Sequence, residues 1–447
     1  MKLNVAIIGS GPSGLYAAES LAHRENVDIQ VDVIDRLPTP FGLVRYGVAP
    51  DHLKIKSILD TLHAVFDRPN VRFLGRLNVG EVLSPEELLR HYDAVVYATG
   101  AQTDRHLNVP GENLPGSHSA TDFVSWYSGH PLSEGRFDLS NVQSVAVIGA
   151  GNVALDVARL IAKHPDELRH TDVPDDVLAA LSASSVQNIY IIARRGPVHA
   201  KFSTKELREL GELEHATVTV QPSELPPEDA DLSSFSRAER ANVTVLSKWA
   251  NAERPAAPRR IQLRFWRSPA EILGDESVTG LRLRDMSDQA RANGSDDALE
   301  EIPAELVIRA IGYRSVPLAG LPFDQDAGVV PNDRGRMLDE SGAVRRREYV
   351  TGWLKRGPTG VIGTNKSDSE ETVNSIVEDL VTEGNLTQSD AKEPIDEFLQ
   401  RNEIPYTEFD GWLRIDGAER EAGRIRGGAR VKIADWETLL RLAQRQT

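Results

Sequence analysis

Val5-Ala6-Ile7-Ile8-Gly9-Ser10-Gly11-Pro12-Ser13-Gly14 is an apolar run that passes directly into a glycine-rich turn. The pattern recurs as Val145-Ala146-Val147-Ile148-Gly149-Ala150-Gly151-Asn152-Val153-Ala154. A short apolar run before such a turn reads as a buried strand, and the residues after each turn carry a helix pattern. Each stretch fits the fingerprint of a dinucleotide-binding βαβ unit. The glycines permit the tight turn and let the backbone approach a pyrophosphate, whose charge is met by a helix N-terminus. One such turn is a weak signal. Two, both between a strand and a helix, predict a chain that holds two dinucleotides and passes electrons between them.

The residue ending the second strand of such a unit faces the adenosine ribose. In the first unit it is Asp35. A carboxylate there accepts from ribose hydroxyls and repels a 2′-phosphate, which fits FAD or NAD. In the second unit the equivalent strand ends in Arg194-Arg195. Two guanidinium groups attract a 2′-phosphate, which predicts an NADPH site. Taken singly, Asp35 reads equally well as a solvated strand end and the arginines as a basic turn. Opposite charges at equivalent positions strengthen both functional readings together. The distance from Ala154 to Arg194 is longer than usual, and an insertion at 164–185 accounts for it.

With 447 residues, the chain is too long for one ordinary core, so two or three domains are expected. Lys and Arg number 51 and Asp and Glu 67, a net charge of −16, which argues against a general nucleic-acid binder. No apolar stretch is long enough to span a bilayer. Met1-Lys2-Leu3-Asn4 enters the first strand at once and leaves no room for a signal peptide, so a cytoplasmic location is expected. Cysteine is absent, which removes disulfide chemistry, thiolate catalysis and Cys-ligated iron–sulfur clusters. Redox work therefore falls to a bound organic cofactor, with no metal.

The first unit reads as a helix over 13–24, a strand over 29–35, a loop with Pro38, Pro40 and Gly42, a helix from about Pro50 to Phe66, and strands at 71–74 and 94–97. The stretch 101–107 reads as a crossing into a second domain. There a helix is expected over 152–163 and strands at 189–193, 261–265 and 280–283. The stretch 221–260 reads as irregular with a helical piece, and 306–312 as a core strand leading back to the first domain.

Four further segments resemble the adrenodoxin-reductase-like ferredoxin–NADP reductases, in order and spacing across nearly the whole chain. They are Thr39-Pro40-Phe41-Gly42-Leu43-Val44-Arg45-Tyr46-Gly47-Val48-Ala49-Pro50-Asp51-His52, then Gly151 to Arg159, then Arg194-Arg195-Gly196-Pro197, then Gly352-Trp353-Leu354-Lys355-Arg356-Gly357-Pro358-Thr359-Gly360-Val361-Ile362-Gly363-Thr364-Asn365. The resemblance implies an α/β fold of two Rossmann-like, glutathione-reductase-like domains. The NADP domain, about 104–315, would be inserted into an FAD domain split as 1–103 and 316–447. The implied activity is electron transfer between NADPH and a ferredoxin-type iron–sulfur protein through FAD. The oligomeric state stays open, since the fold does not demand an oligomer and is compatible with a monomer.

The first glycine fingerprint makes Gly9, Gly11 and Gly14 cofactor contacts, and the resemblance places the FAD contacts at Ser13, Asp35, Leu43, Val79, Trp353 and Gly360-Val361-Ile362. Asp35 stands where the family commonly has Glu. It places the NADP contacts at Arg105, Ala150, Gly151, Asn152, Val153, Arg194, Arg195 and Glu206. Read from sequence alone, Glu206 after Ser203 is a helix-capping pattern. His52 stands where the resemblance implies a histidine beside the flavin; it and Glu209 are the candidate polar groups around the reacting rings, with Asp156 a further charge. Glu209 lies one helical turn after Glu206, so the two can share a face. An acidic partner would need a local basic surface, for which the candidates are Lys201, Lys205 and Arg208, Arg345-Arg346-Arg347, and Arg424, Arg426 and Arg430. The rival enzyme reading is an NADPH-dependent flavin monooxygenase or diaphorase with a non-ferredoxin acceptor. The rival of another class is a non-catalytic nucleotide sensor built on an inactive reductase. No role for the region after about residue 385 follows from the sequence.

Overall fold

In the computed structural model, residues 2–24, 27–252, 257–292, 294, 299–382 and 392–444 are described. The apolar run of the first glycine turn is the strand Lys2–Ile8 at the heart of a seven-stranded sheet. It pairs in parallel with Asp28–Ile34 on one side and Ala94–Tyr97 on the other. Val71–Leu74 extends one edge. On the other side the chain's last third supplies Val344–Val350, parallel to Ala94–Tyr97, followed by two short antiparallel strands, Arg336–Leu338 and Asn332–Asp333. The second glycine turn follows Ser144–Ile148, the centre of a six-stranded sheet. Every pairing in that sheet is parallel, and all its strands lie between Ser117 and Arg264 except Leu306–Arg309. Strands buried on both faces need no polar alternation, which is why both glycine turns follow unbroken apolar runs.

Two short strands link the two units. Thr103–Asp104, leaving the first, pairs antiparallel with Tyr313–Arg314, returning to it. The second unit is therefore an insertion whose entry and exit run side by side. Its core includes Val145, Val147, Leu155, Val157, Leu160, Ile161, Ile189 and Ile191, all 1% exposed or less. The helix Thr364–Thr382 packs on the first glycine-turn helix, Pro12–Ala22, so the last third of the chain closes the first unit. No helix among the described residues is long and apolar enough to cross a membrane.

The expected single helix over 50–66 is broken. Pro50–His52 are not helical, and the stretch divides into Leu53–Lys56, Ile58–His63 and a 3₁₀ turn, Ala64–Asp67. Ser57 and Ala64 have ψ of −17° and −14°, tighter than an α-helix and closer to 3₁₀ geometry. The start is displaced because Asp51 and His52 are drawn into contacts with the second unit, described below. Sequence reading also passed over Ala216–Val220, an edge strand with alternating burial. It missed most of a three-stranded antiparallel sheet made of Arg267–Leu273, Gly280–Asp285 and Leu299–Pro303 as well. That small sheet is held partly by charge, with Arg282 between Glu271 and Glu301. Charged residues of this kind dilute the apolar signal of a strand.

Candidate functional site

At the first turn, Gly9 has φ +112°, and a Cβ there would lie 2.5 Å from the carbonyl oxygen of Ala98. A Cβ on Gly14 would lie 2.0 Å from the Gly9 oxygen. Strand, turn and helix are therefore closed on one another. Gly11 differs, because a Cβ there would meet nothing within 4 Å. Gly11 is the N-cap of Pro12–Ala22 and supplies no side-chain cap. Ser84, Ser119, Ser203, Ser236 and Asp435 accept from the first turn of their helices, while the helices after Pro174, Pro394 and Glu408 also lack a side-chain cap, so it is the open space at Gly11 that sets this terminus apart. A helix whose first amides are left uncapped beside open space fits an external anion.

Around this turn the structure gathers several of the expected contacts. Asp35 accepts from the backbone N–H of Ser10 at 2.8 Å and from its hydroxyl at 2.5 Å, which fixes the carboxylate beside the turn. Leu43 is half-buried on the short helix Gly42–Tyr46. A Cβ on Gly42 would come within 2.9 Å of Gly11 Cα. Val79 is buried against Leu77 and Leu83, and the Leu77 N–H donates to the Asp35 carbonyl at 2.9 Å. From the last third, Gly352 approaches so closely that a Cβ would lie 2.3 Å from Ser13 Oγ. Trp353 packs against Tyr313, centroids 5.5 Å apart and ring planes tilted by 31°, and donates from Nε1 to the Thr359 carbonyl. Gly360 and Val361 are exposed and Ile362 is half-buried. Val361 is a large apolar side chain that is 74% exposed.

The second turn repeats the design. Gly151 caps Asn152–Ala162 without a side chain, and a Cβ there would again meet nothing within 4 Å. The Ala150 carbonyl accepts from Lys201 N–H at 2.7 Å, and Asn152 Oδ1 accepts from Ser203 N–H at 2.8 Å. Ala150 and Val153 pack on the core, leaving their backbone to the turn. Arg194 and Arg195 are both exposed. Arg105 is exposed on the crossing, its N–H bonded to the Gly312 carbonyl.

Between the two turns lies a buried polar group that joins the units. His52 Nε2 is 2.9 Å from Asp156 Oδ1 and 3.1 Å from Glu206 Oε2. Arg159 grips both oxygens of Asp51 at 2.8 and 2.9 Å and Asp156 at 2.8 Å, and its Nη2 stands 2.6 Å from His52 Nε2. Glu209 is 3.9 Å from Arg159 and 3.4 Å from Lys205. Burial works against a charged His52 ring, yet the hydrogen bond to Asp156 and the ion pair with Glu206 outweigh it and raise its pKa to about 9. Burial likewise opposes the Asp51 charge, and Arg159 and Lys163 override it, holding that carboxyl far below its ordinary value. The close approach of the His52 ring lowers Glu206. Ligand atoms of His52, Glu206 and Glu209 lie within 4.8 Å of one another, but the Arg159 guanidinium already balances their charge.

The capping pattern at Ser203 is half realised. The Ser203 hydroxyl accepts from Glu206 N–H at 3.2 Å, while the Glu206 carboxylate turns to His52. Sequence reading singled out His52, Asp156, Glu206 and Glu209 but gave no role to Arg159 or Asp51. The available signal was one arginine in the otherwise apolar run Val157 to Ala162, at i+3 from Asp156.

The basic candidates separate sharply. Lys201, Lys205 and Arg208 are exposed. Arg345 is bound to Glu348, and Arg347 to the carbonyls of Leu89, Tyr92 and Asp93. Arg424 pairs with Glu421, Arg426 with Asp175 and two carbonyls, and Arg430 with Asp416 and Glu419. In these last two clusters Arg345, Arg347, Arg426 and Arg430 are engaged within the protein, while Arg346 and Arg424 are exposed.

Residues 3–221 match the family model described as pyridine nucleotide-disulphide oxidoreductase. With no cysteine in the chain, that match concerns the fold and not disulfide chemistry. The NADPH-ferredoxin reductase FprA of Mycobacterium tuberculosis is 44% identical, over 98% of each chain. The mitochondrial NADPH:adrenodoxin oxidoreductase of Arabidopsis thaliana is 40% identical, over 99% of this chain and 95% of its own. The solved structure of Mycobacterium tuberculosis FprA in complex with NADPH superposes with a TM-score of 0.91 at 43% identity, over 99% of this chain and 100% of that one.

Proposed function

This chain belongs to the family of the NADPH-ferredoxin and adrenodoxin reductases, and from that premise we propose that it is an FAD-dependent oxidoreductase moving electrons between NADPH and a ferredoxin-type iron–sulfur protein. The observation that carries the reading is the pair of uncapped, glycine-started helices, one in each unit, with the His52 group between them. FAD, when bound, supplies the conversion between a hydride pair and single electrons. The chain supplies binding, alignment and exclusion of water.

In this reading Gly9, Gly11, Ser13, Gly14 and Asp35 hold the adenosine diphosphate part of FAD, with Leu43, Val79, Trp353 and Gly360-Val361-Ile362 lining the rest of the cofactor. Ala150 to Val153 hold the pyrophosphate of NADPH, and Arg105, Arg194 and Arg195 its 2′-phosphate end. His52 holds a proton at Nε2 beside the reacting rings, balanced by Glu206 and Glu209. The FAD domain comprises 1–103 and 316–447 and the NADP domain 104–315. The side-by-side crossing strands support those boundaries. Lys201, Lys205 and Arg208, all exposed in the segment after the double arginine, offer an acidic iron–sulfur partner a positive surface. A cytoplasmic location is part of this proposal, because NADPH is held inside cells.

The test is colour and acceptor dependence. The purified protein is expected to be yellow, to bleach with NADPH in the absence of oxygen, and to reduce cytochrome c only when a ferredoxin is added. A preparation that stays colourless after incubation with FAD removes the reading. NADPH oxidation coupled to oxygenation of a substrate, with no iron–sulfur protein present, replaces it with a monooxygenase.

A further inference from the structure

Arg159 is 2% exposed and lies in a helix whose other inward residues are apolar. A buried charge in such a place needs compensation and a hydrogen-bond partner for each donor. The surroundings provide this in an ordered way. Nε and Nη2 form a fork on the two oxygens of Asp51, the residue directly before His52, at 2.8 and 2.9 Å. Nη1 donates to Asp156 at 2.8 Å. The face left over reaches His52 Nε2 at 2.6 Å, Glu206 at 3.6 Å and Glu209 at 3.9 Å. One planar group thus touches three separate segments: the loop before Leu53–Lys56, its own helix Asn152–Ala162, and the helix Thr204–Leu210.

We propose that Arg159 is a positioning residue for the reaction: its guanidinium, pinned to Asp51 of one unit and Asp156 of the other, holds His52 and Glu206 against each other across the seam. This rests on the reading of His52 as a group beside the reacting rings. The fork on Asp51 fixes the backbone that carries His52, which sits outside the helix with φ −83° and ψ +56°. The contact with Asp156 fixes the acceptor that His52 shares. Lysine cannot substitute, because an ammonium is a point charge without a planar fork. The charged groups facing His52 are Asp156 and Arg159 from one helix, Glu206 and Glu209 from another, and Asp51 from its own loop, with Lys163 behind Asp51 at 3.0 Å.

Lys163 supplies the control. It makes a second ion pair to Asp51 across the same seam with no contact to the His52 ring, so K163M weakens the seam alone. The experiment uses the full-length, FAD-loaded protein as wild type, R159K, D51N, K163M and H52Q. The His52 ring is titrated by NMR with labelled histidine, its signal identified by its absence in H52Q. Flavin reduction by NADPH is followed by stopped flow from about pH 6 to about pH 10. In R159K the His52 midpoint is expected to fall toward about 6.5, because the ring loses its alignment with Asp156 and Glu206. Reduction is expected to slow about tenfold or more, with a shifted pH profile. D51N is expected to move both the same way by less, and K163M neither. A midpoint in R159K that stays put or rises overturns the proposal, since a rise means the guanidinium acts only as an opposing charge. K163M reproducing R159K overturns it too, as plain seam adhesion. H52Q reducing flavin at the wild-type rate instead removes the functional reading of His52, while the NMR midpoint still decides the role of Arg159.

Discussion

His52 Nε2 faces two acceptors, Asp156 and Glu206, and one donor, Arg159. The acceptors favour the protonated ring, and its pKa rises to about 9 despite burial. A histidine whose folded pKa exceeds its unfolded value of about 6.5 contributes stability that is fully present below that value and lost as pH rises through about 9. The melting temperature of wild type minus that of H52Q is therefore expected to be largest near pH 6 and to vanish by about pH 10. A difference independent of pH would mean the ring packs without holding a proton. The arginine pair yields a second residue-scale expectation. R194A/R195A should raise the KM for NADPH on the order of a hundredfold, the loss of two charge-assisted contacts to a 2′-phosphate, and leave that for NADH nearly unchanged. Equal effects on both nucleotides would contradict the assignment. Asp35 and Arg194 were legible in sequence because they stand at strand ends after the glycine turns, and His52 because its segment resembles the reductase family. Arg159 and Asp51 were not, because their meaning lies in a pairing between residues 108 positions apart.

The elements most readable from sequence were the two glycine turns with their strands and helices, since an apolar run, a turn and a helix cap are all local. The displaced start of the helix after Pro50 was not readable, because the pull on Asp51 and His52 comes from the other unit. The glycines of one turn separate fold from function. A Cβ on Gly14 would lie 2.0 Å from the Gly9 oxygen, so G14A must part the helix from the turn, at a cost of about 1–3 kcal/mol. A Cβ on Gly11 meets nothing, and Gly11 already has extended backbone with φ −71°. G11A should stay within about 1 kcal/mol of wild type in the apoprotein. It should nevertheless weaken FAD binding at least about tenfold, by placing a methyl where the pyrophosphate would meet the helix amides. Chemical denaturation of the apoproteins and FAD titration measure the two effects separately. G11A destabilising the apoprotein as much as G14A would mean that the open face is structural.

At the scale of the molecule, the C-terminal region ties the two units together, a role its sequence does not disclose because each of its basic residues looks like solvated charge. Lys432 is 3% exposed, donates to the Arg45 carbonyl at 2.5 Å and lies 3.2 Å from Asp172 of the inserted unit. Lys56 of the first unit grips the same carboxylate at 2.5 Å. Arg45 in turn is locked to Glu419 of the helix Phe409–Arg426, and Arg426 bonds the carbonyls of Thr171 and Val173. Burial opposes the Asp172 charge, but Lys432 and Lys56 prevail and hold its pKa to about 2. Its contribution is thus complete above about pH 4 and lost as pH falls through about 2. Burial pushes Lys432 well below its ordinary value, so its ammonium is the strained member. Removing Lys432 leaves Asp172 and Lys56 as a neutral pair. Removing the Asp172 charge leaves two buried ammonium groups with no shared counter-ion. D172N is therefore expected to destabilise by about 3–5 kcal/mol, the penalty for an uncompensated buried charge. K432M, which exchanges a buried ammonium for an apolar chain of similar length, should stay within about 1.5 kcal/mol of wild type. Urea denaturation at neutral pH orders the two. K432M proving the more harmful would show that Lys56 does not hold Asp172 by itself, and that the C-terminal segment carries the join between the units.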